Sequence, residues 1–153
     1  MVTRPNARSG ESDLRHETGA AGPVGCRAAR ILVIDDEEML RKAMAEVLKL
    51  AGHEVEYAGG GREGIERFRQ GAFDVVLTDL GMPGVSGLEV ARAVKEVDPE
   101  TFVILCTGWR EIPGSGESLH DKGVDALLAK PFRIRDFLQL IQTSLRTRTV
   151  AVS

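Results

Sequence analysis

The chain has 153 residues, of which 42% are hydrophobic and 28% charged, and a formal net charge of −3 at pH 7. That length suits one domain with a core that needs no covalent staples. The mild negative charge gives no global field for nucleic acid or anionic membrane. No apolar stretch approaches the roughly 20 residues of a membrane span, and the N-terminus lacks the apolar run of a signal peptide. The expected location is the cytoplasm. Cys26 and Cys106 are far apart and lack metal-type spacing. Cys106 lies in an apolar run and reads as a small packed hydrophobe in a reducing compartment.

Residues 1–29 are rich in Gly, Ala, Arg and Ser and show no apolar period. Ordering such a tail costs roughly 1–2 kcal/mol per residue in backbone entropy, with little burial to offset it. The expectation is a disordered N-terminal tail, followed by a domain over 30–146 and a short C-terminal tail over 147–153. Glu11, Asp13 and Glu17 dilute the arginines of the first segment, so a basic nucleic-acid arm is not expected there.

From Arg30 the pattern changes. Ile31-Leu32-Val33-Ile34 is a short apolar run ending in acids, as a buried parallel strand requires. Leu40, Ala43, Met44, Val47, Leu48 and Ala51 follow at helical spacing on one face, with Gly52 as the stop. His53 to Ala58 reads as a second strand, and Arg62 to Gln70 as a weaker helix with Ile65 and Phe68 inward. Phe73 to Thr78 is a third strand. Leu88, Ala91, Val94 and Val97 mark a helix closed by Pro99. Phe102 to Cys106 and Val124 to Ala129 give the last two strands. Ile134, Phe137, Leu138, Ile141 and Leu145 mark the final helix. Strands alternating with helices require a parallel sheet covered on both faces.

Ligands of open α/β sheets bind beyond the carboxyl ends of the strands. There the first strand presents Asp35-Asp36, the third Asp79, the fourth Thr107-Gly108 and the fifth Lys130-Pro131. Each has a bland reading: Asp35 or Asp36 as a helix cap, Asp79 as a turn residue before Gly81, Pro83 and Gly84, Thr107 as a strand residue, Lys130 as a loop charge. Four strand ends with complementary chemistry make the bland account poor. Clustered carboxylates repel one another and suit a hard cation such as Mg²⁺, which binds oxygen and often phosphate as well. A carboxylate attacking phosphorus must approach an anion, and Mg²⁺ with Lys130 would neutralise that charge.

ILVIDDEE at 31–38, DVVLTDLGMPGVSGLEV at 74–90, ILCTGW at 104–109 and AKPF at 129–132 resemble the receiver domain of bacterial two-component response regulators in order and spacing. The resemblance implies a flavodoxin-like sheet of order 2-1-3-4-5. It implies that Asp79 is the phosphoacceptor and that Mg²⁺ is held by Asp36, Asp79 and the carbonyl of Gly81. Asp35 would act through water or as a secondary ligand. Lys130 would pair with the phosphoryl group, Thr107 would be the switch hydroxyl, and Lys130-Pro131 would be a cis peptide. The implied partners are a sensor histidine kinase or histidine phosphotransfer protein and a downstream protein. The chain resembles stand-alone receivers and those at the C-termini of hybrid histidine kinases about equally. It would be a signalling domain rather than an enzyme, catalysing only its own phosphotransfer and dephosphorylation, with no direct DNA or membrane binding.

Two positions depart from the family. Leu127 stands where many receivers carry an aromatic, and Pro113, Gly114 and Gly116 fall where a fourth helix usually begins. That helix is expected to be short, over Ser115 to Lys122. Trp109 beside the switch threonine reads as a shield for its loop. A haloacid-type phosphoaspartate hydrolase needs a second acid two residues after its nucleophile, and position 81 is Gly. A flavodoxin relative needs a phosphate loop where Asp35-Asp36-Glu37-Glu38 would repel phosphate. A structural pseudo-receiver is disfavoured by the intact set Asp36, Asp79, Thr107 and Lys130. His16, His53 and His120 are scattered without ligand partners, and Gly59-Gly60-Gly61 lacks the lysine of a phosphate loop.

Overall fold

A computed structural model of the chain describes residues 28–108 and 118–152, with side chains to residue 146. The expected disordered tail (Ala28 and Ala29 excepted), Trp109 and the segment 113–116 therefore lie outside the described residues. Among the described residues, five strands, β1 (Arg30–Ile34), β2 (Glu54–Ala58), β3 (Val75–Asp79), β4 (Phe102–Thr107) and β5 (Ala126–Ala129), form one sheet of order β2-β1-β3-β4-β5. Every pairing is parallel. Among the described residues, four α-helices connect or follow them: α1 (Glu38–Leu50), α2 (Gly61–Gln70), α3 (Gly87–Val97) and α4 (Ile134–Val152). This is the sheet order expected from the sequence.

Side chains alternate across a strand, so each apolar run serves two cores. Ile31 and Val33 face one layer with Val75, Leu77, Ile104 and Cys106, covered by Met44 and Leu48 of α1 and Phe137, Ile141 and Leu145 of α4. Leu32 and Ile34 face the other with Val76, Val103 and Leu105, covered by Phe68 of α2 and Val90, Ala91 and Val94 of α3. Burying a large aliphatic side chain contributes about 2 kcal/mol. That is comparable to the roughly 1–2 kcal/mol that ordering its backbone costs, so continuous apolar runs hold central strands in place.

The structure corrects several boundaries. Ala43 is exposed, and Ala45 is the buried alanine of α1. The stripe of α1 is thus rotated slightly from the expected face. The helix predicted over Ser115 to Lys122 is, among the described residues, a single 3₁₀ turn at His120–Lys122. Gly123 stops it in the left-handed region, at φ 86°. Helix α4 runs past Leu145, the last apolar position expected for it, to Val152. The start of α3 is fixed by a capping box. Ser86 Oγ accepts from the Glu89 N–H at 3.3 Å, and Glu89 Oε1 accepts from the Ser86 N–H at 2.9 Å. The Ser86-Gly87-Leu88-Glu89 spacing was the available signal.

Candidate functional site

The acids converge because β1 and β3 are neighbours in the centre of the sheet. Asp35 follows the last residue of β1 and is 1% exposed; Asp79 ends β3 and is 9% exposed; Asp36 is exposed. One carboxylate oxygen from each of Asp35, Asp36 and Asp79 lies within 4.8 Å of the others. Gly87 permits the close packing behind Asp79: a Cβ at that position would collide with the Asp79 carbonyl. Gly81 is exposed in the connection between β3 and α3.

The other two strand ends bring the remaining groups. Thr107 ends β4 and is buried. Its carbonyl accepts from the Lys130 N–H at 2.9 Å, and the Lys130–Pro131 peptide is cis, as the resemblance implied. Lys130 Nζ donates to Asp79 Oδ1 at 2.8 Å and to Asp35 Oδ2 at 3.4 Å. The lysine is drawn inward rather than left as a loop charge. The bland reading of Asp35 survives in part: its Oδ1 accepts from the Glu37 N–H at 2.8 Å, although Glu37 is the residue in the cap position of α1.

Burial raises the pKa of Asp35, against the lowering effect of the Glu37 N–H and Lys130. For Lys130, burial alone acts downward, but the hydrogen bond to Asp79 and the charges of Asp35 and Asp79 outweigh it and raise the pKa. Lys130 is therefore a firmly charged cation. Among the described residues, three acid side chains converge on the Lys130 ammonium. Mg²⁺ takes oxygen ligands in an octahedron at about 2.0–2.1 Å, so its ligand atoms stand roughly 3–4 Å apart. The trio's oxygens, within 4.8 Å of one another and open on the side of exposed Asp36, need only a small side-chain adjustment to reach that spacing around such an ion. Cys106, opposite Asp79 on β4, is no rival nucleophile, since burial pushes its thiol up to about 12.

Arg41 belongs to no motif in the sequence. Its Nη1 donates to the Asp35 carbonyl at 2.8 Å, a contact across a helix start that reads from sequence as one more charge on a solvated face.

Residues 31–142 match the family model described as the response regulator receiver domain. The chain is 36% identical over 116 residues to the uncharacterized transcriptional regulatory protein YkoG of Bacillus subtilis, covering 76% of this chain and 50% of that protein. The chain thus spans about half the length of that relative. It is 33% identical over 117 residues to the response regulator receiver protein CpdR of Brucella abortus, covering 76% of this chain and 96% of that one. Among solved structures, response regulator protein TrrA of Thermotoga maritima, in complex with Mg²⁺–BeF, superimposes with a TM-score of 0.68 at 31% identity. That match covers 75% of this chain and 97% of the other. No helix among the described residues is long and apolar enough to cross a membrane. The chain belongs to the response regulator receiver domain family, whose typical role is that of phosphoacceptor in two-component signalling.

Proposed function

We propose that Asp79 is the phosphoacceptor of this receiver. The observation that carries the reading is the contact of Lys130 Nζ with Asp79 Oδ1 inside a trio of carboxylates. Asp79 attacks the phosphorus of a phosphohistidine: an O–P bond forms, the N–P bond breaks, and the imidazole leaves with the bonding electron pair. Lys130 then pairs with a phosphoryl oxygen in place of part of its carboxylate contact. Asp36, Asp79 and the Gly81 carbonyl hold Mg²⁺, with Asp35 acting through water or as a secondary ligand. The ion, when bound, offsets charge on the phosphoryl group. Dephosphorylation proceeds by attack of water on phosphorus, releasing phosphate and the free Asp79 carboxylate.

Thr107 is the hydroxyl that donates to the phosphoryl oxygens and transmits their arrival to the loop beyond β4. The donor is a sensor histidine kinase or a histidine phosphotransfer protein, and the phosphorylated surface binds a downstream protein. The Mg²⁺–BeF complex of TrrA supports the metal assignment by likeness. The test is phosphotransfer from a panel of purified, phosphorylated histidine kinase domains. Transfer to the wild type and none to Asp79→Asn is expected; no transfer from any donor, together with none from a small phosphodonor, contradicts the reading.

A further inference from the structure

Arg41 is the fourth residue of α1, and a cation that close to a helix N-terminus opposes the helix dipole. Its side chain does not extend into solvent. It turns back over the start of its own helix, where Nη1 donates to the Asp35 carbonyl at 2.8 Å. Its guanidinium carbon lies 5.6 Å from the centre of the Tyr57 ring on β2, within cation–π range. Its Nε is buried with no hydrogen-bond partner among the described residues. A buried donor left unpaired is unfavourable, so the guanidinium's place is set by the carbonyl and the ring rather than by its own full satisfaction.

The neighbouring loop is built around it. A Cβ on Gly59 would stand 3.3 Å from Arg41 Nη1, so a glycine there leaves the guanidinium room. The Gly59 N–H donates to Glu63 Oε1 at 2.9 Å, and the Asp35 N–H donates to the Ala58 carbonyl at 3.2 Å. Arg41 thus ties the segment carrying Asp35 and Asp36 to β2 and to the loop that leads into α2. Both acids hang from the peptide that it grips.

We propose that Arg41 is a positioning residue for the acidic site: its grip on the Asp35 carbonyl holds Asp35 and Asp36 in the arrangement that receives Mg²⁺. This inference rests on the metal reading above. It opposes simple electrostatics, by which removing a cation beside three carboxylates should strengthen binding of another cation. The sign of the effect therefore separates a positioning role from a charge effect. A merely structural role would lower thermal stability and leave the affinity alone.

The experiment is an amide NMR titration of the full chain with MgCl₂, following Asp35, Asp36, Glu37 and Asp79, alongside melting curves without metal. Arg41→Met is expected to raise the Mg²⁺ dissociation constant roughly tenfold, the lower end of what outer partners of metal sites contribute. Arg41→Lys, which keeps the charge and a donor, should recover part of that loss. Unchanged or tighter binding by folded Arg41→Met overturns the proposal while leaving the metal site standing. If Arg41→Met does not fold, Gly59→Ala decides, since its new Cβ presses on the guanidinium: weaker binding supports the grip, and unchanged binding overturns it. Wild-type amides that do not shift with Mg²⁺ overturn the metal site itself and this inference with it.

Discussion

Lys130 Nζ stands 2.8 Å from Asp79 Oδ1, although the two residues are 51 positions apart. Their strand ends are separated by β4, which pairs with β3 on one side and β5 on the other. The contact is charge-assisted and largely shielded: the two side chains are 23% and 11% exposed. It holds the Asp79 carboxylate in place and supplies a cation where a phosphoryl group on the proposed acceptor would bring negative charge.

Replacing that cation exposes what it balances. Lys130→Gln leaves Asp79 and Asp35 without their ammonium, and stability in metal-free buffer is expected to fall by about 1–3 kcal/mol. Added Mg²⁺ should then stabilise the variant more than the wild type, because more carboxylate repulsion remains to be relieved. Denaturant titrations with and without Mg²⁺ measure both effects. Equal metal-free stability of the two proteins would contradict the balancing role.

Mg²⁺ alone should raise the melting temperature of the wild type, since a ligand that binds only the folded state stabilises it. Asp36→Ala is expected to remove most of that gain. Because Asp36 is exposed, its loss should cost little in metal-free buffer. A melting curve indifferent to Mg²⁺ on the order of millimolar, the range for sites with few protein ligands, would argue against the site.

The strands, and the edge of the sheet where the candidate site lies, were legible in the sequence for one reason. Central parallel strands are buried on both faces, so Ile31 to Ile34 and Val103 to Cys106 appear as unbroken apolar runs. The polar residue ending each run must then fall at one edge. What was not legible depends on contacts distant in sequence. Lys95 Nζ donates to the Thr101 carbonyl at 2.6 Å and to Asp125 Oδ2 at 2.7 Å, joining α3 to the segments that begin β4 and β5. No local spacing announces that. The face of α1 was misplaced at Ala43 because alanine carries too little apolar weight to fix a helix rotation. Leu127 has no aromatic ring and is 42% exposed; only the structure shows that it points outward.

At the opposite end of the sheet, His53 Nδ1 accepts from the Ala29 N–H at 3.1 Å. Burial lowers the His53 pKa below its ordinary 6.5, with Asp74 opposing in part. A depressed folded-state pKa means that the unfolded chain binds the proton more readily. The stability His53 contributes is therefore present above the unfolded value and is lost as pH falls through the folded one. His53→Gln, which cannot take up the proton, should flatten the decline in melting temperature as pH falls below the ordinary histidine value of about 6.5. An equally steep decline in both proteins would assign it to other groups.

The switch should run through Thr107 rather than through Leu127. Phosphorylation of Asp79 would add charge and strong acceptor oxygens at the end of β3, and Thr107 ends the neighbouring β4; Thr107 is expected to move towards them with Gly108 and the residues beyond. Trp109, the only tryptophan, lies outside the described residues but follows Gly108 directly and serves as the probe. Its fluorescence should change with beryllofluoride and Mg²⁺. Thr107→Ala should abolish most of that change and still allow phosphorylation. Leu127→Ala, at a solvent-facing position, should preserve both signal and stability. A full fluorescence response in Thr107→Ala would remove the hydroxyl from the mechanism.

The identity of the acceptor is open to direct weighing. Incubated with acetyl phosphate and Mg²⁺, the wild-type chain is expected to gain the mass of one phosphoryl group in an intact-mass spectrum, and Asp79→Asn to gain none. Omitting Mg²⁺ should suppress the wild-type gain. Equal labelling of wild type and Asp79→Asn, or labelling of neither under conditions that phosphorylate a known receiver, would contradict the assignment of Asp79.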